Sequence, residues 1–232
     1  MWQETQRALE MPAPWRFFEV LREGEALRVV FPEIDALFGV PQPEQWHPEI
    51  DSGVHTMMVL QQATRMSEDP VVRFAALVHD LGKGTTPSHE WPKHIAHEHR
   101  SAGLIESLCT RLKIPNAYRD TAVQVGRHHL LAHKALELRP STLLDLMEHL
   151  DAFRRPERFE QYVIACEADA RGRKGLEDRD YPQSAYLRRA RAVAAAVRPG
   201  EEQRAGLNGE QIAEWVRKER VARLSQMRGE KG

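Results

Sequence analysis

Apolar residues recur along most of the chain at intervals of three and four positions, which is the spacing of one face of an α-helix. No run alternates apolar and polar residues over a useful length, so the pattern gives almost no signal for strands. We therefore predict an all-α fold of about eight to ten helices. The longer predicted helices cover 54–66, 70–79, 96–112, 118–129, 141–150, 159–170, 185–197 and 212–227.

The stretch from Pro70 to His79 is apolar almost all round, which predicts a buried central helix. It ends in the adjacent pair His79-Asp80, and Gly82 supplies a helix-ending signal. Imidazole and carboxylate are ligands of divalent metals, and neighbouring residues reach one ion only where a helix ends. Lys83 then offers a fixed positive charge to an anion. A lone His-Asp pair is more often a salt bridge, so other ligands decide the interpretation.

Candidate ligands occur on two further predicted helices. His55 stands at the start of the helix over 54–66, and Asp169 lies near the end of the helix over 159–170. A carboxylate on a mostly apolar helix is costly unless it is paired with a cation. That cation is either a metal ion or one of the nearby arginines, Arg171 and Arg173. Helices that converge with histidine and carboxylate side chains make an ordinary metal site in a helical bundle.

Histidine is unusually frequent, with eleven residues clustered between His47 and His149. His94 and His97 are three positions apart, and His129 and His133 are four apart, so each pair shares a helix face. A single histidine of this kind is more often hydrogen-bonded or exposed than a ligand. The whole cluster could hold a second metal or contact phosphate oxygens directly.

The bulk composition excludes several classes of protein. The chain has 232 residues, 41% hydrophobic and 29% charged, with a formal net charge of −1, so no overall field attracts nucleic acid or membrane. The segment after Asp151 is richer in arginine, which fits either a solvated helix face or RNA contact. Cys109 and Cys166 lie in apolar patterns and predict buried free thiols. Without an apolar run of about 18 residues or a signal peptide, we expect a cytoplasmic protein with no membrane partner.

The ordered set of candidate ligands resembles the HD superfamily of metal-dependent phosphohydrolases, whose minimal pattern is H…HD…D. The resemblance implies an HD-domain helical bundle in which the metal ligands are His55, His79, Asp80 and Asp169. We predict catalytic roles for Asp80, Lys83, His97 and His129. We predict substrate contacts from Lys83, His97, His129, His133, Arg171 and Arg173.

A closer resemblance is to the bacterial CCA-adding tRNA nucleotidyltransferases, the multifunctional CCA proteins of proteobacteria. It is carried by the segments 31–43, 46–51, 53–56, 79–84, 167–173 and 180–183, and it extends from about Pro14 to about Arg228. It covers only the C-terminal portion of those enzymes. The chain has no Gly-Gly pair, and no predicted strand carries Asp-x-Asp for two magnesium ions. We therefore expect no CCA addition by this chain alone, which is either free-standing or the C-terminal half of a longer enzyme.

The resemblance implies activity on nucleotide or RNA 3′-end phosphates, as a 2′,3′-cyclic phosphodiesterase, 2′-nucleotidase and phosphatase. The supporting divalent ion would be nickel, cobalt, manganese or magnesium. The alternative is the tRNA-binding body and tail of a CCA-adding enzyme, with little activity of its own. A homodimer is left open. We predict a neck-like segment at 1–45, an HD core at 46–175 and a helical tail at 176–232.

Overall fold

The computed structural model describes residues 1–229, and helices account for most of them. The predicted all-α class is confirmed. No β-strand forms within the described residues, where one isolated bridge joins Pro41 and Asp51. The α-helices are α1 (Trp2–Glu10), α2 (Trp15–Glu23), α3 (Leu27–Val30), α4 (Pro32–Asp35), α5 (Ser52–Met66), α6 (Pro70–Val78), α7 (His97–Leu112), α8 (Asn116–His133), α9 (Pro140–His149), α10 (Pro156–Arg171), α11 (Pro182–Ala195), α12 (Glu201–Gly206) and α13 (Gly209–Gly229). Two short 3-10 helices, Leu81–Thr85 and Ser88–Glu90, lie between α6 and α7.

Thirteen α-helices in the described part of the chain exceed the eight to ten that the pattern predicts. The additional elements are mostly short. Helix α1 buries only Thr5 and Leu9, so its apolar periodicity is too sparse to be recognised from sequence. Pro32 is the first residue of α4, where the missing amide hydrogen of proline is tolerated, and it separates α4 from α3.

Helix α6 is the buried central helix that the apolar run predicts. Its residues from Val72 to Val78 are all buried, and it packs against α1, α5 and α8. Asp69 caps the start of α6 by accepting a hydrogen bond from the Val71 amide at 2.8 Å, and Pro70 occupies the first helical position. The start of the helix is therefore well defined, and His79 lies at its other end.

The chain divides into two compact units. The first unit comprises residues 1–133 and 161–181. The second comprises 134–160 and the described residues from 182 onward, so α10 contributes residues to both. The predicted division at 45 and 175 stays a prediction, and its last residues, 230–232, lie outside the described part of the chain.

In the second unit, α13 packs against α9 and α11. Two arginines of this unit form exposed ion pairs: Arg217 of α13 contacts Asp145 at 2.6 Å and Glu148 at 2.5 Å, and Arg188 of α11 contacts Glu160 at 2.5 Å. Exposed pairs of this kind contribute little stability, typically about 0–1 kcal/mol each. Within residues 1–229, no helix combines the length and apolar character that a membrane crossing requires.

Candidate metal centre

The first unit brings the ends of several helices together around a group of histidine and aspartate side chains. His55 lies in the first turn of α5, which Asp51 caps by accepting a hydrogen bond from the Val54 amide at 2.9 Å. His79 caps the end of α6, and Asp80 follows it. The other members of the group are His97 of α7, His129 and His133 of α8, and Asp169 of α10.

Two glycines permit the close helix approach on which this arrangement depends. A Cβ atom on Gly82 would lie 2.1 Å from the His97 carbonyl oxygen, so only glycine lets the start of α7 pack there. A Cβ atom on Gly172 would lie 2.6 Å from Val59 of α5. The Gly172 carbonyl oxygen, brought in by that approach, lies 3.0 Å from His55 Nδ1.

The carboxylate of Asp169 is buried among imidazole rings. Its Oδ1 atom lies 3.1 Å from His55 Nε2 and 3.7 Å from His79 Nε2. Its Oδ2 atom accepts a hydrogen bond from His133 Nε2 at 2.7 Å. Burial by itself would raise the pKa of Asp169, but the charges of His79 and His133 hold that pKa well below its usual value. The carboxylate is therefore ionised at neutral pH.

The carboxylate of Asp80 forms the second centre of the group. Its Oδ2 atom lies 2.6 Å from Lys83 Nζ and 3.1 Å from His79 Nε2. Its Oδ1 atom lies 3.2 Å from His97 Nε2 and 3.6 Å from His129 Nε2. Burial opposes ionisation, but the charges of His79 and Lys83 keep the pKa of Asp80 well below its ordinary value.

Lys83 is nearly buried and is held by two neighbours. Its ammonium contacts the Asp80 carboxylate and also donates a hydrogen bond to Gln42 Oε1 at 2.5 Å. The lysine therefore neutralises a candidate metal ligand in this structure. Its contact with a substrate phosphate stays a prediction.

Backbone carbonyl oxygens fix which nitrogen carries the proton when three of the rings are neutral. The Nδ1 atom of His79 donates to the Ala76 carbonyl at 2.8 Å, and that of His97 donates to the His94 carbonyl at 2.7 Å. His129 Nδ1 donates to two carbonyls of its own helix, each at 3.1 Å. With the proton on Nδ1, Nε2 presents a lone pair, which is the form of imidazole that binds a metal.

These residues fit a divalent metal ion. Two sets have ligand atoms within 4.8 Å of one another, and they are His55, His79 and Asp169, and Asp80, His97 and His129. Among the described residues, the buried atoms His79 Nε2 and Asp80 Oδ1 make no hydrogen bond. Imidazole lone pairs and carboxylate oxygens that face one another repel unless a cation or a proton lies between them. Mixed nitrogen and oxygen donors suit divalent transition metals.

The pKa values of His79 and His129 are shifted in opposite directions. Burial lowers the pKa of His79, but the charges of Asp80 and Asp169 outweigh it and raise that pKa to about 9. Burial also lowers the pKa of His129, and there it dominates, giving a pKa of about 3. His129 is therefore neutral near pH 7, whereas His79 carries a proton that a metal ion would have to displace.

The remaining histidines and arginines have different surroundings. His94 bonds through its two ring nitrogens to Thr86 Oγ1 and the Pro41 carbonyl, each at 2.9 Å. The side chain of His99 is 73% exposed, whereas His97 faces the cluster. Arg171 pairs with Glu167 at 2.9 Å, and Arg173 has a buried Nε atom with no hydrogen bond within residues 1–229. Substrate binding by either arginine stays a prediction.

Sequence reasoning assigned no role to four residues that the structure places at the site. His47 and Glu49 form a third set of candidate ligands with His55. Gln42 holds Lys83, and the Tyr181 hydroxyl lies 2.9 Å from His133 Nδ1. Each of them sits between helices, where no periodic pattern indicates its direction, although all four belong to segments that carry the family resemblance.

The family model of the HD domain matches residues 53–170, which contain the helix ends described above. The chain belongs to the HD domain family, as its sequence predicts.

Its similarity to full-length relatives is more specific. It is 57% identical over 232 residues to the multifunctional CCA protein of Thioalkalivibrio sulfidiphilus (strain HL-EbGR7). That match covers 100% of this chain and 57% of the relative. It is 56% identical to the multifunctional CCA protein of Nitrosococcus oceani over 226 residues, covering 97% of this chain and 56% of that protein. The relative of the same name from Alkalilimnicola ehrlichii is 56% identical over 225 residues, and the match covers 97% of this chain and 54% of that protein. The chain spans little more than half the length of the curated relatives it matches.

Proposed function

We propose that this chain acts as the HD-containing, tRNA-binding half of a multifunctional CCA protein. The observation that supports this most directly is identity of 56–57% along nearly the whole chain to proteins of that name. The resemblance to CCA-adding tRNA nucleotidyltransferases indicates tRNA as the partner. The exposed arginines of the second unit are compatible with contacts to a phosphate backbone.

Binding of tRNA can be measured directly on the purified chain. We expect specific binding whose affinity falls steeply between 50 and 200 mM salt, because arginine–phosphate contacts release counterions. We expect no addition of CCA to a tRNA lacking its 3′ end. Affinity equal to that for an unrelated RNA hairpin of the same length would contradict the proposal.

A second proposed function is metal-dependent hydrolysis of phosphate esters, with 2′,3′-cyclic nucleotides, 2′-nucleotides and RNA 3′-end phosphates as substrates. The specific support is the buried set of imidazole and carboxylate atoms with two unbonded members, His79 Nε2 and Asp80 Oδ1. Buried carboxylates are costly to desolvate, and unbonded polar atoms among them add to that cost in a chain that has no ion to hold. A vestigial site would be expected to lose such groups.

The candidate ligands are His55, His79, Asp80 and Asp169. A divalent ion held there would supply Lewis-acid chemistry, activating water and polarising a phosphoryl oxygen. His97 and His133, whose side chains are 10% and 20% exposed, lie nearest to solvent and could contact the phosphate. Lys83 could stabilise negative charge on that phosphate if substrate drew it away from Asp80.

Hydrolysis of 2′,3′-cyclic AMP with nickel, cobalt, manganese and magnesium tests this function. We expect activity that a chelator removes and that His79→Ala abolishes. The control is His99→Ala, which changes an exposed histidine near the site. Equal hydrolysis by the His79→Ala chain, or none by the native chain with any of these metals, would contradict a hydrolytic role.

A further inference from the structure

The carboxylate of Glu49 lies directly behind His55, on the side away from Asp169. Its side chain is only 1% exposed, although it belongs to the loop that precedes α5. Its Oε1 atom lies 2.9 Å from His55 Nδ1 and 3.0 Å from His47 Nδ1. Its Oε2 atom accepts a hydrogen bond from the Lys174 amide at 3.2 Å. Glu49 is therefore held in place from both sides.

The neighbours of His55 determine which of its nitrogens carries the proton. The Nδ1 atom has two acceptors within reach, Glu49 Oε1 at 2.9 Å and the Gly172 carbonyl at 3.0 Å. A neutral ring with its proton on Nε2 would direct the Nδ1 lone pair at both oxygens, which is repulsive. Two oxygens lie at Nδ1 and one at Nε2, Asp169 Oδ1 at 3.1 Å, so the favoured neutral form has the proton on Nδ1. In that form the Nε2 lone pair faces Asp169 Oδ1, and the two repel unless a cation lies between them.

We infer that Glu49 is a positioning residue of the metal centre, which holds the proton on His55 Nδ1 and keeps Nε2 available to the ion. The inference rests on the metal site of the proposed function. A carboxylate behind a ligating histidine fixes the ring and raises the basicity of the other nitrogen. The Gly172 carbonyl shares this task but has no full negative charge.

The same carboxylate oxygen also orders His47. The His47 ring lies edge-on to His55 with centroids 4.7 Å apart, and its Nδ1 donates to Glu49. One carboxylate therefore accepts from two imidazoles, and only one of them faces Asp169. Through this oxygen, Glu49 joins the loop before α5 to His55.

Glu49→Gln tests the inference because it keeps the shape of the side chain and an oxygen for the Lys174 amide. Isothermal titration of the chelator-treated chain with nickel should show affinity about 10- to 100-fold weaker than that of the native chain. The control Glu44→Gln makes the same charge change at an exposed position of the same loop, and it should bind nickel as the native chain does. Equal affinities for the two variants, with normal binding by the native chain, would overturn the inference.

The second readout does not depend on metal. Long-range 1H–15N correlation spectra of the metal-free chain report which ring nitrogen of His55 is protonated. We expect Nδ1–H in the native chain and in Glu44→Gln, with a loss of that form in Glu49→Gln. An Nε2–H tautomer in the native chain would overturn the inference, even if Glu49→Gln failed to fold. A native chain that binds no divalent metal would refute the proposed hydrolytic function, and the tautomer would still decide the role of Glu49.

Discussion

Tyr181 and His133 are joined by a hydrogen bond of 2.9 Å between the phenol oxygen and Nδ1, which gives His133 a tautomer unlike that of its neighbours. The Nε2 atom of His133 contacts the Asp169 carboxylate at 2.7 Å and must donate to it, since a carboxylate only accepts. In the neutral ring, Nδ1 therefore accepts from Tyr181. His133 thus orients Asp169 by donating a hydrogen bond, whereas His129 presents a lone pair, as His79 and His97 do when their rings are neutral.

Replacing Tyr181 with phenylalanine removes the donor to His133 Nδ1. We expect the free energy of unfolding to fall by about 1 kcal/mol, because a part-buried ring nitrogen loses its partner. Chemical denaturation of the single variants and of Tyr181→Phe with His133→Gln completes a double-mutant cycle. A coupling free energy of about 0.5 kcal/mol or more is expected, and strictly additive effects would show that the bond contributes nothing.

Gly82→Ala should disrupt the start of α7. The added Cβ would meet the His97 carbonyl oxygen at 2.1 Å, so the backbone must shift, at a cost of about 1–3 kcal/mol. Because His97 moves with that backbone, metal affinity should fall as well. Thermal unfolding and nickel titration measure the two effects.

The matched control is Gly103→Ala in the middle of α7, where a Cβ would meet nothing within 4 Å. It should raise stability by about 0.5–1 kcal/mol, because alanine favours the helix over glycine. Metal affinity should remain that of the native chain. If both substitutions changed stability in the same direction, close packing at Gly82 would not be the cause.

Lys83→Met should raise metal affinity while it weakens the metal-free chain. In the native chain the Lys83 ammonium contacts the Asp80 carboxylate at 2.6 Å, so it competes with a metal cation for that carboxylate. Without that charge, the buried Asp80 carboxylate loses a partner, and the metal-free chain should be less stable by about 3–5 kcal/mol. Nickel should then restore more stability than it gives the native chain.

Nickel titrations at equal ionic strength and thermal unfolding with and without a chelator measure both changes. Gln42→Met is a useful comparison, because it removes the other partner of Lys83 but leaves the charge in place. It should not raise metal affinity. Weaker nickel binding by the Lys83→Met chain than by the native chain would contradict competition between the two cations.

The raised pKa of His79 predicts opposite pH trends for stability and for metal binding. Its folded value is about 9, against about 6.5 in the unfolded chain, so the folded state binds the extra proton. The resulting stabilisation is complete below about pH 6.5 and is lost as pH rises through 9. Over the same range, metal affinity should rise because the ion competes with fewer protons.

Thermal midpoints of the chelator-treated chain at pH 6.5, 7.5 and 9 should therefore decline, and nickel affinity should increase. Nickel binding at pH 7.5 should release close to one proton per ion, measurable with an indicator dye in weak buffer. His79→Gln should remove most of this proton release. A native chain that releases no proton on nickel binding would show that His79 is already neutral.

The all-α class and the order of the candidate ligands could be predicted because both depend on short, local sequence patterns. Apolar periodicity located α5 to α11 and α13, and the pair His79-Asp80 stood out where the apolar run ended. The partners of those residues could not be predicted in the same way. Lys83 turns back onto Asp80 because a 3-10 helix begins at Leu81, and Glu49 reaches His55 from a loop without periodicity. Such contacts depend on tertiary packing, which single-sequence patterns do not encode.

The carbonyl oxygens that hold the Nδ1 atoms of His79, His97 and His129 come from backbone three or four positions earlier in the chain. The rings of His79 and His129 are therefore ordered by their own helices, and that of His97 by the residues just before α7, so the loss of rotamer entropy occurs during folding and not when an ion arrives. Binding should then be largely a matter of desolvation and proton displacement. An ion could enter, leave or be exchanged for another while the helices around it stay as they are.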